Sequence, residues 1–358
     1  MAEKLIDSTG QLPSTFNKKG ELITCKSDWW VSGFFPGVLW YLYENDKDPL
    51  VETYAREYTS RVEKEKYRTW DHDIGFIIFC SFGNGYRLTG DTNYLKVINT
   101  AANSLTTRFD STVGCLRSWD YASWNAKWQY PVIIDNMMNL ELLMWSADKF
   151  KNPYYKVVAE SHADKTMANH FREDFSSYHV VSYDTITGEV EMKSTSQGYS
   201  DSSAWVRGQT WGLYGFTVMY RESKNEAYLD QAVKIADFII DNPLFTEDCI
   251  PYWDFNDPDI PNTLKDASAA AIMCSALLEL SEYVTGDKAQ KYMQIAEKQL
   301  NTLCSKKYLA APGENGNFIL KHCVGHMPNR NDLDAPLSYG DYYFVESLIR
   351  YKKLKNKL

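Results

Sequence analysis

The stretch Gly208–Ile239, GQTWGLYGFTVMYRESKNEAYLDQAVKIADFI, decides the fold. Up to Tyr220 it is apolar around most of a helical circumference, as a helix buried on nearly every side requires. A polar turn beginning at Ser223 follows. Beyond it Tyr228, Ala232, Ile235, Ala236 and Ile239 recur at helical spacing, with charged residues between them. A single apolar stripe of that kind marks a half-exposed helix. The unit is therefore a buried helix, a tight turn and a covering helix.

The same unit recurs along the 358 residues. Buried-type segments begin at Gly33 (GFFPGVLWYLY), Gly75 (GFIIFCSFGNGYRL), Asn136 (NMMNLELLMWSA), Gly208, Ala267 (ASAAAIMCSALLEL) and Asp341 (DYYFVESLIRYKKL). Turns rich in Gly, Asp, Asn and Lys lead into amphipathic stretches: ENDKDPLVETYA from Glu44, TGDTNYLKVINTA from Thr89, KNPYYKVVAESHA from Lys151, SKNEAYLDQAVKIA from Ser223 and TGDKAQKYMQIAEK from Thr285. Buried helices alternating with exposed ones predict an all-α chain, an (α/α)6 barrel with an inner ring jacketed by outer helices. A stacked solenoid would leave one face of each inner helix wet, and these segments are too apolar for that. Only AEKLID precedes the first buried segment, so the first outer helix is expected to be truncated. Length alone would favour two domains. The series has no Pro-, Gly- or Ser-rich linker, so one domain is predicted over residues 1–358.

Bulk composition excludes several functions. A formal net charge of -9 leaves no basic face for a phosphate backbone, so no nucleic-acid partner is expected. No apolar run reaches the length of a membrane span, and MAEKLIDSTG lacks the regions of a signal peptide. An export signal cleaved upstream would be compatible with this start. Seven scattered cysteines without CxxC spacing read as reduced, mostly buried thiols. HCVGH places His322, Cys323 and His326 close together, but it lacks the second pair that makes a zinc pattern specific, and no metal is expected. Nor does any GxGxxG, P-loop, GxSxG or HExxH pattern occur, and no cofactor is expected.

Non-helical insertions at roughly residues 110 to 134, 172 to 206, 243 to 265 and 305 to 340 each lead into the start of a buried helix, which gathers them on one rim. Trp29 and Trp30, His72 and Asp73, Asp135, Arg207 with Gln209 and Trp211, Asp266, and Asp341 with Tyr342 stand at those helix starts. A lone Asp there is first of all a cap. Capping does not explain His, Arg, Gln and Trp at the same places. Asp73 and Asp135 each open a strongly buried helix, and two carboxylates facing one cavity repel, which can hold a proton on one of them near neutral pH. Arg207 offers a two-pronged donor for a substrate carboxylate, and His72 and His179 offer further donors.

The strings HDIGF, IIDNMMNLELL, QGYSDSSAWVRGQTWGLYG, DASAAAI and YGDYYFVESLIR, in this order from about Ser27 to about Tyr351, resemble the unsaturated glucuronyl hydrolases, glycoside hydrolase family 88. That resemblance implies the (α/α)6 barrel, no metal, and removal of the 4,5-unsaturated uronic acid that polysaccharide lyases leave at a non-reducing end. The substrate would be an unsaturated chondroitin, hyaluronan or heparin oligosaccharide. In that family the C4=C5 vinyl ether is hydrated, and the resulting hemiketal opens and expels the rest of the sugar. The resemblance implies that Asp135 protonates C4 and assists water at C5, while Asp73 holds that proton in place and contacts sugar hydroxyls. Gln197, Arg207, Trp211, His72 and His179 would bind the uronate, with Trp30 and Trp119 packing on it or on the next sugar. Arg330, in the loop before the last buried helix, is read as a contact to the second sugar or its sulfate. Unsaturated rhamnogalacturonyl hydrolases and an inactive sugar-binding barrel are the alternatives; WVRGQTWG argues against the first, and the presence of both aspartates against the second. Such pathways favour the periplasm, with the cytoplasm as the other location. The oligomeric state is open.

Overall fold

Four of the five turns between buried and covering helices close by one repeated device. Lys47, Gly90, Lys151 and Lys224 adopt the left-handed conformation and return their N–H groups to the carbonyls of Tyr43, Tyr86, Ala147 and Tyr220. The next residue, Asp48, Asp91, Asn152 or Asn225, accepts a backbone N–H from Leu50, Asn93, Tyr154 or Ala227 and so caps the following helix. One helix ends and the next begins within two residues, which forces the pair antiparallel.

The computed structural model describes residues 1–357. The chain opens with α1 (Ala2–Leu5) and a hairpin of β1 (Leu12–Phe16) and β2 (Leu22–Cys25). Then come α2 (Phe34–Asp46) and α3 (Pro49–Ser60); a π-helix (Gly75–Gly83) running into α4 (Asn84–Thr89), and α5 (Thr92–Thr106). Strands β3 (Phe109–Asp110), β4 (Cys115–Leu116) and β5 (Pro131–Ile133) lead to a 3-10 helix (Ile134–Asn139) that continues as α6 (Leu140–Phe150), followed by α7 (Pro153–Asn169). After β6 (Val180–Tyr183) and β7 (Val190–Ser194) come α8 (Val206–Ser223), α9 (Glu226–Asp241), α10 (Ala267–Leu280) and α11 (Gly286–Leu303). Finally β8 (Cys323–His326) and β9 (Asn331–Ala335) precede α12 (Ser338–Lys357).

The predicted ring is there. Contacts run from α2 to the π-helix, on to the 3-10 helix, then α8, α10 and α12, and α12 packs back against α2. Among the described residues α3, α5, α7, α9 and α11 jacket this ring. Its interior is a continuous apolar core that includes Phe34, Trp40, Ile77, Leu143, Trp211, Phe216, Met273 and Tyr343. The short α1 is tied to the turn after α3: the carbonyls of its Leu5 and of Ile6, Ser8 and Gln11 beyond it accept the Arg61 guanidinium.

The insertions differ from their reading as plain loops. Three of the four carry small antiparallel sheets, β3–β4, β5–β6–β7 and β8–β9. These strands are two to five residues long, and β6 is buried along its whole length, so neither alternation nor length marks them in sequence.

Candidate active site

Strand pairing brings the first two functional groups together. β5 pairs antiparallel with β6, Ile133 opposite Val180, and the Ile134 N–H donates to the His179 carbonyl at 3.0 Å. Asp135 is the next residue of the 3-10 helix, and its Oδ2 lies 3.6 Å from His179 Nε2. His179 Nδ1 accepts the backbone N–H groups of Ser196 (3.0 Å) and Gln197 (3.1 Å). The imidazole is buried, which holds its pKa well below the ordinary value, with His326 and Arg207 pushing the same way. A neutral ring accepting at Nδ1 carries its proton on Nε2, directed at Asp135.

Asp135 is itself buried, and burial raises its carboxyl to about 7. The Arg207 charge and the Trp211 indole N–H oppose that rise without cancelling it. Asp73 stands just ahead of the π-helix, its own N–H donating to Asp71 Oδ1 at 3.0 Å. Its carboxyl is also held well above the usual range, first by burial and then by Asp71; Arg68 acts against this, and Asp135 contributes less. The expected repulsion between the two aspartates is thus present but secondary to desolvation.

Asp73 and Asp135 line one cavity of about 470 Å³ with Trp29, Trp30, Trp119, Trp124, Gln197, Arg207, His326, Asn329, Asn331 and Tyr339. Trp29 and Trp124 are exposed, and Trp119 packs between Trp124 and Trp128 with centroids at 5.1 and 5.8 Å. Aromatic faces around buried carboxyls form a groove suited to sugar rings. A larger cavity of about 570 Å³ lies at the other end of the ring, where Arg221 pairs with Glu141 and Glu279, and Arg350 with Glu279 and Glu346.

Several sequence-predicted residues take different parts from those expected. Arg207 does not present a free fork: its terminal nitrogens donate to Asp266 Oδ2 (3.2 Å), the Val324 carbonyl, Gln197 Oε1 (2.8 Å) and the Gly325 carbonyl (2.7 Å). It holds β8 and Gln197 in place and contributes its charge to the cavity. Trp211, expected to bind the uronate, is fully buried beneath the site, 5.3 Å from Phe76 and 5.4 Å from Tyr343, and does not line the cavity. His72 lines the cavity beside Asp73 but is fully buried, with Nε2 at 3.4 Å from Asp73 Oδ1. Asp266 caps α10 and pairs with Arg207, and Asp341 accepts the Ile319 and Leu320 N–H groups; both are structural. Gln209 likewise ties the loop at Phe175 and Ser177. Trp30 stacks 4.9 Å from Tyr339 at the cavity wall. Arg330 is exposed between β8 and β9, flanked by the cavity-lining Asn329 and Asn331. His322 is bound to Asp334 at 2.6 Å, whereas His326 lines the cavity, so the HCVGH pair is divided between two roles.

Sequence reasoning passed over Arg68, Asp71 and Tyr339, and took Asn329 and Asn331 only as the frame of Arg330. The signal for Asp71 was present in TWDHD, where a second acidic residue stands beside the one singled out.

This geometry has known counterparts. Over 326 residues, 91% of this chain and 80% of the relative, the sequence is 45% identical to an unsaturated glucuronyl hydrolase of Formosa agariphila. The crystal structure of an unsaturated glucuronyl hydrolase specific for heparin superposes with a TM-score of 0.94 at 46% identity, covering 97% of this chain and 92% of that one. A mutant of the Streptococcus agalactiae unsaturated glucuronyl hydrolase, complexed with dGlcA-GalNAc6S, gives a TM-score of 0.82 at 26% identity, over 98% and 88% of the two chains. With the Glycosyl Hydrolase Family 88 pattern matched from residue 7 to residue 354, around a ring of buried helices that carries both aspartates at its mouth, the chain belongs to that family.

Proposed function

We propose that this glycoside hydrolase removes a 4,5-unsaturated uronic acid from the non-reducing end of a glycosaminoglycan fragment by hydrating the C4=C5 vinyl ether. The observation that carries the reading is Asp135, a buried carboxyl raised to about 7, with the N–H of His179 directed at it inside a tryptophan-walled cavity. In its acid form Asp135 donates a proton to C4; as carboxylate it then takes a proton from the water that attacks C5. The hemiketal so formed opens and releases the remaining sugar, and Asp135 is protonated again. Asp73 accepts from sugar hydroxyls. Gln197 meets the uronate with its amide N–H, because its Oε1 is already occupied by Arg207, and the charge of Arg207 stands behind it. Trp30 and Trp119 cover the sugar faces. The second sugar extends toward His326, Asn329 and Asn331, with Arg330 beyond them offered to a sulfate. The 46% identical structural relative is specific for heparin, which favours heparin-type fragments over chondroitin or hyaluronan ones.

The test is a panel of unsaturated heparin, chondroitin and hyaluronan disaccharides, followed by loss of the conjugated double-bond absorbance. Turnover is expected, fastest on heparin type. Asp135→Asn keeps the shape and loses the transferable proton, so it should abolish turnover with binding nearly intact. Retention of more than a small fraction of activity would remove Asp135 from its role.

A further inference from the structure

Several buried polar atoms around the site have no hydrogen-bond partner, and two of them are the ring nitrogens of His72. Its backbone N–H donates to the Ser118 carbonyl at 3.1 Å, but neither ring nitrogen makes a close hydrogen bond, and the ring is fully buried. Nε2 faces Asp73 Oδ1 at 3.4 Å. Asn136 acts on the imidazole through its side-chain amide; it donates its Nδ2–H to the Leu116 carbonyl at 3.0 Å, and its buried Oδ1 has no other partner.

An amide oxygen only accepts, so a ring nitrogen paired with it must carry the proton. With Nε2 turned to Asp73, that nitrogen is Nδ1. A neutral imidazole has a single N–H, and Nε2 is then a bare acceptor opposite a carboxyl oxygen. Two lone pairs facing each other in a buried site are costly, and a proton on Asp73 Oδ1 resolves the clash as O–H···N. The opposite tautomer satisfies Asp73 but sets the Nδ1 lone pair against Asn136 Oδ1.

We propose that His72, fixed as the Nδ1–H tautomer by Asn136, is a positioning residue that keeps Asp73 in its neutral acid form. The charged groups acting on Asp73 are Asp71, Arg68, Asp135 and Arg108, and burial outweighs the two cations. His72 feels Asp71 on one side and Arg108 and Arg68 on the other, and burial brings it down to about 4, so it is a neutral ring at working pH. Two consequences follow for the hydrolase reading, on which they rest. Asp73 Oδ2 is left as a neutral acceptor for a sugar hydroxyl, and no anion stands beside Asp135 when that residue gives up its proton. Two aspartates at equivalent helix starts are thereby told apart: Asp135 cycles its proton and Asp73 retains it.

The tautomer can be read without turnover. Long-range 15N–1H correlation spectra of histidine-labelled enzyme, with His72 assigned by its loss in His72→Gln, should show a protonated Nδ1 and a bare Nε2 from roughly pH 5 to 8. The infrared difference between wild type and Asp73→Asn, taken above the titration of Asp135, should contain a carboxylic-acid carbonyl band. His72→Gln, whose Oε1 can replace Nε2 as acceptor, should keep that band, and His72→Phe should lose it. On an unsaturated disaccharide kcat should fall about tenfold in His72→Phe and stay within about threefold of wild type in His72→Gln. An Nε2–H tautomer, an imidazolium, or a wild type without the acid band overturns the proposal. If His72→Phe does not fold, the wild-type tautomer and the Asp73→Asn difference decide the matter. Should no unsaturated disaccharide be turned over, the functional reading fails while the tautomer assignment stands or falls by its own spectra.

Discussion

Asp135 carries its proton near neutrality because burial outweighs what favours the anion: the Arg207 charge, then its own backbone N–H, then the Trp211 indole. The sign of the pH dependence follows. A general acid acts in its protonated form, so kcat/KM should fall as pH rises through about 7. Trp211→Phe removes an indole N–H that acts to lower the Asp135 pKa, and so should move this alkaline limb to higher pH by up to about one unit. A pH–rate profile of the variant checks it, and a limb displaced to lower pH would contradict the assignment. Arg207 shows where residue-level reading stops. The chain announces a cation in WVRGQTWG, but its partners Val324 and Gly325 belong to a strand more than one hundred residues away, and no local pattern reveals that contact. Arg207→Ala should therefore act as more than a binding defect. It leaves Asp266 and two carbonyls without their donor in a buried site, a loss of about 3 to 5 kcal/mol, visible as a lower denaturant midpoint alongside a higher KM. A raised KM with unchanged stability would restore the picture of a free fork.

The helices were legible because periodicity and turn chemistry agree: an apolar face wide enough for burial, a left-handed residue, then Asp or Asn. Two irregular helices were not. The segment from Gly75 reads as an ordinary buried helix, yet its first nine residues are wound as a π-helix, and the segment at Asn136 begins with a 3-10 turn. Both departures lie where the catalytic aspartates enter the ring, and hydrophobic periodicity is too coarse to separate such windings. Their contact depends on a missing side chain. A Cβ at Gly75 would come within 2.5 Å of Asn139 Oδ1 and 2.6 Å of Asn139 Cα, while Asn139 Oδ1 accepts the Phe76 N–H at 2.9 Å. Gly75→Ala must therefore push the two elements apart and stretch the bond that ties them, at a cost of about 1 to 3 kcal/mol. The expected result is a lower melting temperature and a disproportionate fall in kcat, since Asp73 leads into one of the displaced elements and Asp135 sits on the other. Wild-type kcat together with unchanged melting would show that the helices can repack.

The whole chain resolves into one ring whose first and last inner helices meet, and the closure is fastened at the end away from the catalytic mouth. Glu346 on α12 accepts the Tyr41 hydroxyl of α2 (2.6 Å), the Tyr214 hydroxyl of α8 (3.0 Å) and the Ser275 hydroxyl of α10 (2.6 Å), and it pairs with Arg350 at 3.4 Å. One buried carboxylate thus joins four helices drawn from the two ends and the middle of the sequence. Such closure was foreseeable from six buried segments, but its fastening was not, because a lone Glu in DYYFVESLIRYKKL carries no mark of the hydroxyls that converge on it. If the ring is a single cooperative unit, damage here must reach the mouth. Glu346→Ala strands two buried phenols and a serine hydroxyl and opens the seam between α12 and α2, with a cost of about 3 to 5 kcal/mol. Thermal unfolding followed by helical circular dichroism and by residual activity should then give coincident transitions, both moved to lower temperature by the substitution. Activity lost well before helicity would instead mean that the mouth with its small sheets unfolds by itself, and that the one-domain reading of residues 1–358 is too simple.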